Sequence, residues 1–237
     1  MTDRRAEITA NLERLETRIA AACAAAGRSR DEITLVAVTK TFPAEDVMHL
    51  AALGVREVGE NRDQDAAAKV QACRDAGVQG LVWHFVGQLQ RNKAASVASY
   101  ADVVHSVDRV PLVAALEKGA ARAGRTLTCL VQVDLHEPPG DGGWGGAAPD
   151  QVGAVAAAVD AAEHLRLGGV MAVAPLGGDP EAAFGRLAEV SRGLRATYPS
   201  ATVVSAGMSG DLEAAVARGA THLRVGTALL GSRPPLG

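Results

Sequence analysis

The chain has 237 residues, a formal net charge of −3 and an aromatic content of 3%. Its basic residues are scattered and its aromatic residues are few, which argues against surfaces for nucleic acid or for an anionic membrane. The apolar runs are strand-sized, which excludes a transmembrane helix, and the N-terminus lacks the apolar segment of a signal peptide. We therefore expect a cytoplasmic protein. The three cysteines are odd in number and far apart, so they suggest neither a disulfide framework nor a metal site.

The predicted elements alternate between helix and strand along the chain. Residues 3–26 carry apolar residues at helical spacing and are followed by Gly27, which predicts an amphipathic N-terminal helix. Short apolar runs then predict strands at 33–40, 55–60, 83–88, 103–107, 127–135, 166–173, 202–207 and 222–226. Helical patterns lie between the strands, at 44–53, 62–75, 90–99, 109–123, 150–163, 180–197 and 211–218.

This alternation of buried strands and helices predicts an α/β fold with a parallel sheet. Eight such units in a chain of this length favour a closed (β/α)8 TIM-type barrel, with residues 1–237 forming a single domain. A doubly wound open sheet is the alternative, but no Gly-x-Gly-x-x-Gly follows the first strand. The Gly- and Pro-rich stretch 136–149 is interpreted as a long loop of the C-terminal face rather than an interdomain linker.

Lys40 closes the first predicted strand. A charged amine at the end of an apolar, β-branched run is a conflict between pattern and chemistry, and such conflicts often mark functional sites. Lost hydration favours the neutral amine, which can condense with an aldehyde. The alternative is a strand-end lysine whose amine reaches into water. The remaining lysines, Lys69, Lys93 and Lys118, lie in predicted helices and are expected to be solvated.

A second cluster follows the last two predicted strands, in the segments SAGMSGD (205–211) and RVGT (224–227). Backbone N–H groups, hydroxyls and an arginine of this kind can wrap an anion, and in barrels the loops after strands seven and eight are the recurrent phosphate site. Strand one adjoins strand eight in a closed barrel, so Lys40 faces this cradle. An aldehyde that carries a phosphate fits both groups, and pyridoxal 5′-phosphate is the commonest such cofactor.

Four blocks make the sequence resemble the pyridoxal phosphate homeostasis family, the single-domain relatives of the alanine racemase N-terminal barrel. They are AVTK (37–40), GEN (59–61), WHFVGQLQRNK (83–93) and the two segments after the last strands. The resemblance spans residues 8–233 and implies a barrel of that type with an extra N-terminal helix. It further implies a protein that buffers pyridoxal phosphate or delivers it to apo-enzymes, without turning over a substrate.

The resemblance also assigns cofactor-binding residues. Lys40 is the Schiff-base lysine, and the phosphate contacts are Ser209, Gly226 and Thr227. Arg224 lies beside the cofactor, at either its ring nitrogen or its phosphate. The other candidates are Ser205, Gly207 and Met208, which line the same loop, and Asn61 and His84, which line the mouth on the other side. This chain has Trp144 where relatives often carry a cation, so a cationic contact from that loop is not expected.

Two enzymatic alternatives remain open. The first is a pyridoxal-phosphate-dependent enzyme such as an amino acid racemase, which needs acid–base groups on both faces of the cofactor. Racemases take the second group from a tyrosine of an added domain, whereas the chain ends at Gly237, and Tyr100 and Tyr198 lie in predicted helices. The second alternative, a barrel enzyme that uses Lys40 on a phosphorylated sugar, fits the chemistry but not the four blocks.

Three further residues have competing interpretations. His84 and His105 lie on neighbouring predicted strands and could form a metal pair, but no carboxylate or cysteine recurs at ligand spacing, so we expect no metal site. Glu60 is either a general base or a strand-end carboxylate paired with an arginine. Trp83 and Phe85 alternate with His84, so we expect them to face outward while His84 faces the barrel interior.

Overall fold

Eight parallel strands close into a barrel in the computed structural model, which describes residues 4–137 and 145–231. Trp144 therefore lies outside the described residues. Strands follow one another around the barrel in chain order, and β8 pairs with β1. They are β1 Thr34–Val38, β2 Glu57–Glu60, β3 Val82–Phe85, β4 Val103–Val107, β5 Leu127–Gln132, β6 Leu165–Met171, β7 Val203–Ser205 and β8 His222–Val225. The predicted (β/α)8 barrel is confirmed.

The helices cover the outside of the barrel. They are α1 Arg4–Ala25, α2 Ala44–Ala52, α3 Asp63–Asp75, α4 Ala94–Tyr100, α5 Val110–Ala123, α6 Val152–Asp160, α7 Pro180–Thr197, α8 Leu212–Ala217 and α9 Thr227–Leu230. The sequence analysis did not predict α9, because a single turn carries no periodic signal. Among the described residues, none of these helices has the length and apolar character needed to cross a lipid bilayer.

Side-chain alternation divides each strand between the barrel interior and the helical layer. Trp83 and Phe85 are buried in the apolar cluster beneath the helices, as predicted, while His84 between them hydrogen-bonds inside the barrel. On β1, Val36 is in register with Arg224 of β8. The main hydrophobic core is thus the layer between sheet and helices, and the barrel interior is available for polar groups.

The predicted N-terminal helix is present as α1 and docks on the last helices of the barrel. Its buried residues recur at helical spacing: Ile8, Asn11, Leu15, Ile19, Ala22 and Cys23. Burying each large aliphatic side chain among them contributes about 1.5–3 kcal/mol. Asn11 Nδ2 donates to Leu229 O at 2.9 Å, and Arg4 Nη2 donates to Leu230 O at 3.0 Å. Because the last carbonyls of a helix lack partners within it, these two bonds complete the end of α9.

Six of the eight strands end one to three residues earlier than the sequence predicted. β1, for example, ends at Val38 rather than at residue 40, and β5 ends at Gln132 rather than at residue 135. Thr39 is nevertheless fully buried, so the apolar pattern runs beyond the regular strand. Lys40 consequently lies in the turn after β1 and not in the strand itself.

Candidate functional site

Lys40 occupies a tight turn at the carboxyl end of β1. Phe42 N donates to Thr39 O at 3.1 Å, which makes Lys40 and Thr41 the central residues of a β-turn. Thr41 has a φ of 70°, the positive value that a type II turn requires at this position. The Lys40 side chain is half-buried at this edge of the barrel.

The loops after β2 and β3 meet beside this turn. Val38 is in register with Gly59, and Asn61 follows Gly59 by two residues, as Lys40 follows Val38. A side chain at Gly87 would place its Cβ 2.3 Å from Asn61 O, so only glycine permits this approach of the two loops. A cavity of about 490 Å³ opens next to Asn61. The structure therefore brings Asn61 to the same edge of the barrel as Lys40.

The loops after β7 and β8 close the opposite side of the mouth. Gly207 has a φ of 89°, and a Cβ there would lie 2.6 Å from Ala215 Cβ. A Cβ at Gly226 would lie 3.0 Å from Val38 O, so the loop after β8 lies directly against the end of β1. Ser209 Oγ accepts a hydrogen bond from Ala228 N at 3.2 Å, which ties the two loops together.

The remaining candidates of these loops are accessible. Met208 is 37% exposed, and its N–H donates to Asp211 Oδ1 at 2.6 Å. Thr227, the first residue of α9, is also exposed. The exposed hydroxyl of Thr227 and the half-buried Ser209 thus lie where a ligand can reach the loops.

The N-terminal helix braces the loop after β7. Arg18 Nη1 donates to Ser209 O at 2.7 Å, and Arg18 Nη2 donates to Glu213 Oε2 at 2.7 Å. The guanidinium therefore links α1, the loop and α8. Arg18 thus holds the backbone of Ser209, and the Ser209 hydroxyl contacts the segment after β8.

Beneath the mouth, five polar side chains form a continuous chain through the barrel interior, which we call the interior relay. Arg224 Nη1 lies 2.7 Å from Ser205 Oγ, and His105 Nδ1 lies 3.0 Å from the same oxygen. His105 Nε2 is 2.7 Å from His84 Nδ1, and His84 Nε2 is 2.5 Å from Glu57 Oε2. The relay joins five different strands across the barrel.

The two end groups of the relay fix the direction of their own hydrogen bonds. The Glu57 carboxylate can only accept, so His84 donates to it through Nε2. The Arg224 guanidinium can only donate, so Ser205 Oγ accepts from it. His105 joins the two halves, with Nε2 at His84 and Nδ1 at Ser205. The fixed charges of Glu57 and Arg224 therefore stand at the two ends of the relay.

The pKa values agree with this assignment. Complete burial, reinforced by the neighbouring His84 and Arg224, lowers the pKa of His105 well below its usual 6.5. Burial also lowers the pKa of Arg224 to about 10, so the guanidinium remains charged at neutral pH. His222, which lies near His84, has its pKa lowered to about 4, mainly by burial. The interior thus holds a charged guanidinium, while His105 and His222 are neutral at pH 7.

The structure distributes the predicted site residues over two levels. The loops of the mouth contain Lys40, Asn61, Gly207, Met208, Ser209 and Gly226, and Thr227 opens α9 directly after them. Ser205, His84 and Arg224 are buried in the relay, with exposures of 0%, 2% and 5%. His84 and His105, which lie on neighbouring strands, hydrogen-bond to each other.

Two expectations about charged residues were wrong. Lys69 is 7% exposed rather than solvated, and it forms an ion pair with Glu60, which we expected to be a general base or to pair with an arginine. Glu57 and His222 were not considered at all. His222 does give one sequence signal, because it opens a strand whose next inward position, Arg224, is also a candidate site residue.

Comparisons with known proteins agree on one family. The profile of the alanine racemase N-terminal domain matches residues 8–234. A relative from Mycobacterium tuberculosis, named pyridoxal phosphate homeostasis protein, is 45% identical and covers 98% of this chain and 95% of its own. A crystal structure from Bifidobacterium adolescentis superposes with a TM-score of 0.87 at 30% identity, covering 97% and 96% of the two chains. PipY of Synechococcus elongatus, solved with PLP bound, gives 0.77 at 35% identity, covering 84% and 93%.

Proposed function

Because the chain belongs to the alanine racemase N-terminal domain family, among the pyridoxal phosphate homeostasis proteins, we propose that it binds pyridoxal 5′-phosphate and buffers or delivers it in the cytoplasm. The observation that carries the proposal is the close approach of Gly226 to the end of β1. A Cβ built at Gly226 would lie only 3.0 Å from Val38 O. It brings the loop after β8 against the strand that leads into Lys40. An aldehyde-reactive amine and a candidate phosphate loop thereby share one mouth.

The residues at the mouth fit the cofactor. Pyridoxal 5′-phosphate supplies an aldehyde that a lysine can hold as a Schiff base, and a phosphate that needs hydrogen-bond donors. Gly207 and Gly226 leave no room for side chains, so backbone there can approach a phosphate closely. Ser209 and Thr227 add hydroxyls, and the loops after strands seven and eight are the usual phosphate site of barrels.

Arg224 suits the ring of the cofactor better than its phosphate. It precedes Gly226 by two residues on β8, which places it one layer below the loop that would hold the phosphate. Its Nη1 and Nη2 donate to Ser205 Oγ and to Ala172 O at 2.9 Å, which fixes the plane of the guanidinium. We therefore assign Arg224 to the ring nitrogen and the loops to the phosphate.

Attachment to Lys40 is a condensation. The neutral amine nitrogen forms a bond to the aldehyde carbon, and the aldehyde oxygen leaves as water together with the two amine protons. The reaction is reversible by addition of water, as a buffer or a carrier requires. Apo-enzymes that need the cofactor are the proposed recipients.

The positions of the tyrosines favour a carrier over a racemase. Tyr100 ends α4 and is 4% exposed, and burial raises its pKa far above the usual value. Tyr198 follows α7. In a (β/α)8 barrel, the carboxyl ends of the helices lie at the face opposite the mouth. Neither phenol is thus available as the second acid–base group that racemization needs.

The direct test combines absorbance with chemical trapping. The purified protein is titrated with pyridoxal 5′-phosphate, reduced with borohydride and digested, and the adduct is located by mass spectrometry. We expect it on Lys40, and we expect Lys40→Ala to remain folded but to lose the adduct, while the matched variant Lys118→Ala keeps it. Ser209→Ala should raise the Kd for pyridoxal 5′-phosphate roughly tenfold to a hundredfold, because a charge-assisted hydrogen bond is lost.

Three results would contradict the proposal. An adduct on Lys69 or Lys93 would refute the attachment site, and equal affinities for pyridoxal and pyridoxal 5′-phosphate would refute the phosphate loops. Conversion of L-alanine to D-alanine at about 1 per second or faster would identify an enzyme rather than a carrier.

A further inference from the structure

A buried ion pair lies just outside the barrel, next to the turn that carries Lys40. Lys69 of α3 and Glu60 of β2 are 7% and 1% exposed and pair with each other. Both also contact Thr39: Lys69 Nζ donates to Thr39 O at 2.8 Å, and Thr39 Oγ1 donates to Glu60 Oε1 at 2.5 Å. We call Thr39, Glu60 and Lys69 the Thr39 cluster.

The Thr39 cluster determines which way Lys40 faces. Thr39 N donates to Gly59 O at 2.9 Å, so the β1–β2 ladder continues through Thr39. Adjacent residues of such a ladder point to opposite faces, and a slip by one residue would exchange them. Since the cluster holds Thr39 on the helical side, Lys40 is directed to the side of the mouth.

The same cluster also holds the turn itself. Thr39 O accepts from both Lys69 Nζ and Phe42 N, so the oxygen that closes the turn is anchored to α3. The turn contains Thr41 at a φ of 70°, which is a costly conformation for a β-branched residue. Such strain persists only where the surroundings over-determine it, and it concentrates at functional sites.

Fold stability alone does not account for the ion pair. A buried pair loses hydration on both partners and is often no more stabilising than apolar residues of the same size. Glu60 Oε2 is moreover buried without a hydrogen-bond partner among the described residues. The Thr39 cluster is costly to bury, and its contacts converge on the residue before Lys40. The placement of Lys40 explains why such a cluster is present.

We propose that Lys69 and Glu60 are positioning residues that hold the Lys40 amine at the aldehyde of the bound cofactor. This inference rests on the proposed function, because it takes Lys40 as the attachment point. It adds a role for two residues that do not contact the cofactor themselves. It predicts that they govern attachment and leave recognition of the phosphate unchanged.

The experiment compares two ligands that differ only in the reacting group. Pyridoxine 5′-phosphate carries an alcohol in place of the aldehyde and cannot condense with an amine. In Lys69→Met, the Kd for pyridoxal 5′-phosphate should rise roughly tenfold to a hundredfold, as for other misplacements of a reacting group, and the Kd for pyridoxine 5′-phosphate should change less than about threefold. The rate of borohydride trapping on Lys40 should fall in parallel.

Two further variants keep the test decisive. Lys69→Met leaves Glu60 as an unpaired buried carboxylate, so the double variant Glu60→Gln/Lys69→Met removes both charges. The double variant still releases Thr39 O from Lys69, while the glutamine oxygen can keep the hydrogen bond from the Thr39 hydroxyl. It should show the same selective loss, and Lys118→Met, at an exposed position of α5, should show none. Thermal unfolding confirms that each variant is folded.

The outcomes separate this inference from the proposed function. If the wild-type protein gives no adduct on Lys40, the proposed function fails. If it does, and the double variant binds both ligands as the wild type does, the positioning role is refuted. Equal weakening for both ligands would likewise overturn it, because the cluster would then support the mouth as a whole and not Lys40.

Discussion

Removing the Ser205 hydroxyl should break the interior relay at its centre. Ser205 is fully buried, and its Oγ accepts from Arg224 Nη1 at 2.7 Å and lies 3.0 Å from His105 Nδ1. Ser205→Ala therefore leaves a buried guanidinium and a buried imidazole each with one hydrogen bond unmade. An unsatisfied buried group costs about 1–3 kcal/mol, and more when it is charged, so we expect a loss of about 3–5 kcal/mol in the free energy of unfolding.

Ser106→Ala is the matched control for this prediction. Ser106 is 1% exposed on β4, and its Oγ has no hydrogen-bond partner among the described residues. The same substitution there removes a desolvated hydroxyl and no bond, so stability should stay constant or rise by up to about 1 kcal/mol. Both variants and the wild type are compared by urea unfolding at pH 7.5, with the slope used to verify two-state behaviour. A difference below about 1 kcal/mol between the two variants would refute the relay as a stabilising unit.

Two more predictions concern acid and the N-terminal brace. Folding lowers the pKa values of His105 and His222 below 6.5. As the pH falls from about 6.5 toward 4, the unfolded state therefore binds more protons than the folded state, and the free energy of unfolding decreases in that window. Urea unfolding should show a loss of about 2–4 kcal/mol in the free energy of unfolding between pH 7.5 and 5, with a shallower slope in His222→Gln. A flat profile would contradict the lowered pKa values of His105 and His222. Arg18→Ala removes the hydrogen bond to Ser209 O and should weaken binding of pyridoxal 5′-phosphate several-fold, by about 1 kcal/mol, without affecting binding of pyridoxal. Equal weakening for both ligands would show that Arg18 does not support the proposed phosphate loop specifically.

The fold and the mouth could be predicted from the sequence because both depend on local pattern. Alternating runs define strands and helices, and in a barrel the residues that follow successive strands meet at one face without any knowledge of packing. Lys40 and the two loops after β7 and β8 were predicted to meet in this way, whereas Asn61 was predicted from the family resemblance. What the pattern could not give was the exact end of each strand, since the buried Thr39 continues the apolar signal beyond β1.

The relay and the Thr39 cluster could not be predicted, for a different physical reason. Their links join residues far apart in the chain, as His105 and Ser205 do over 100 positions, and depend on which strand register the closed barrel adopts. Lys69 shows the same difficulty within a helix. A lysine in a polar helical pattern is ordinarily solvated, and only the packing of α3 on the ends of β1 and β2 reveals its buried partners.

The interior relay also explains why a barrel would replace its usual branched aliphatic filling with polar side chains. Each member loses hydration, and this cost is offset only if every donor finds an acceptor. The relay pairs each of its five side chains with a neighbour and separates the fixed charges. Glu57 stands at the amino-terminal opening, and Arg224 stands beneath Gly226 at the mouth. The result is a fixed guanidinium beneath the mouth. In the proposed function, an anionic ring compound would meet this guanidinium from below, Lys40 at the side and the loops after β7 and β8 above.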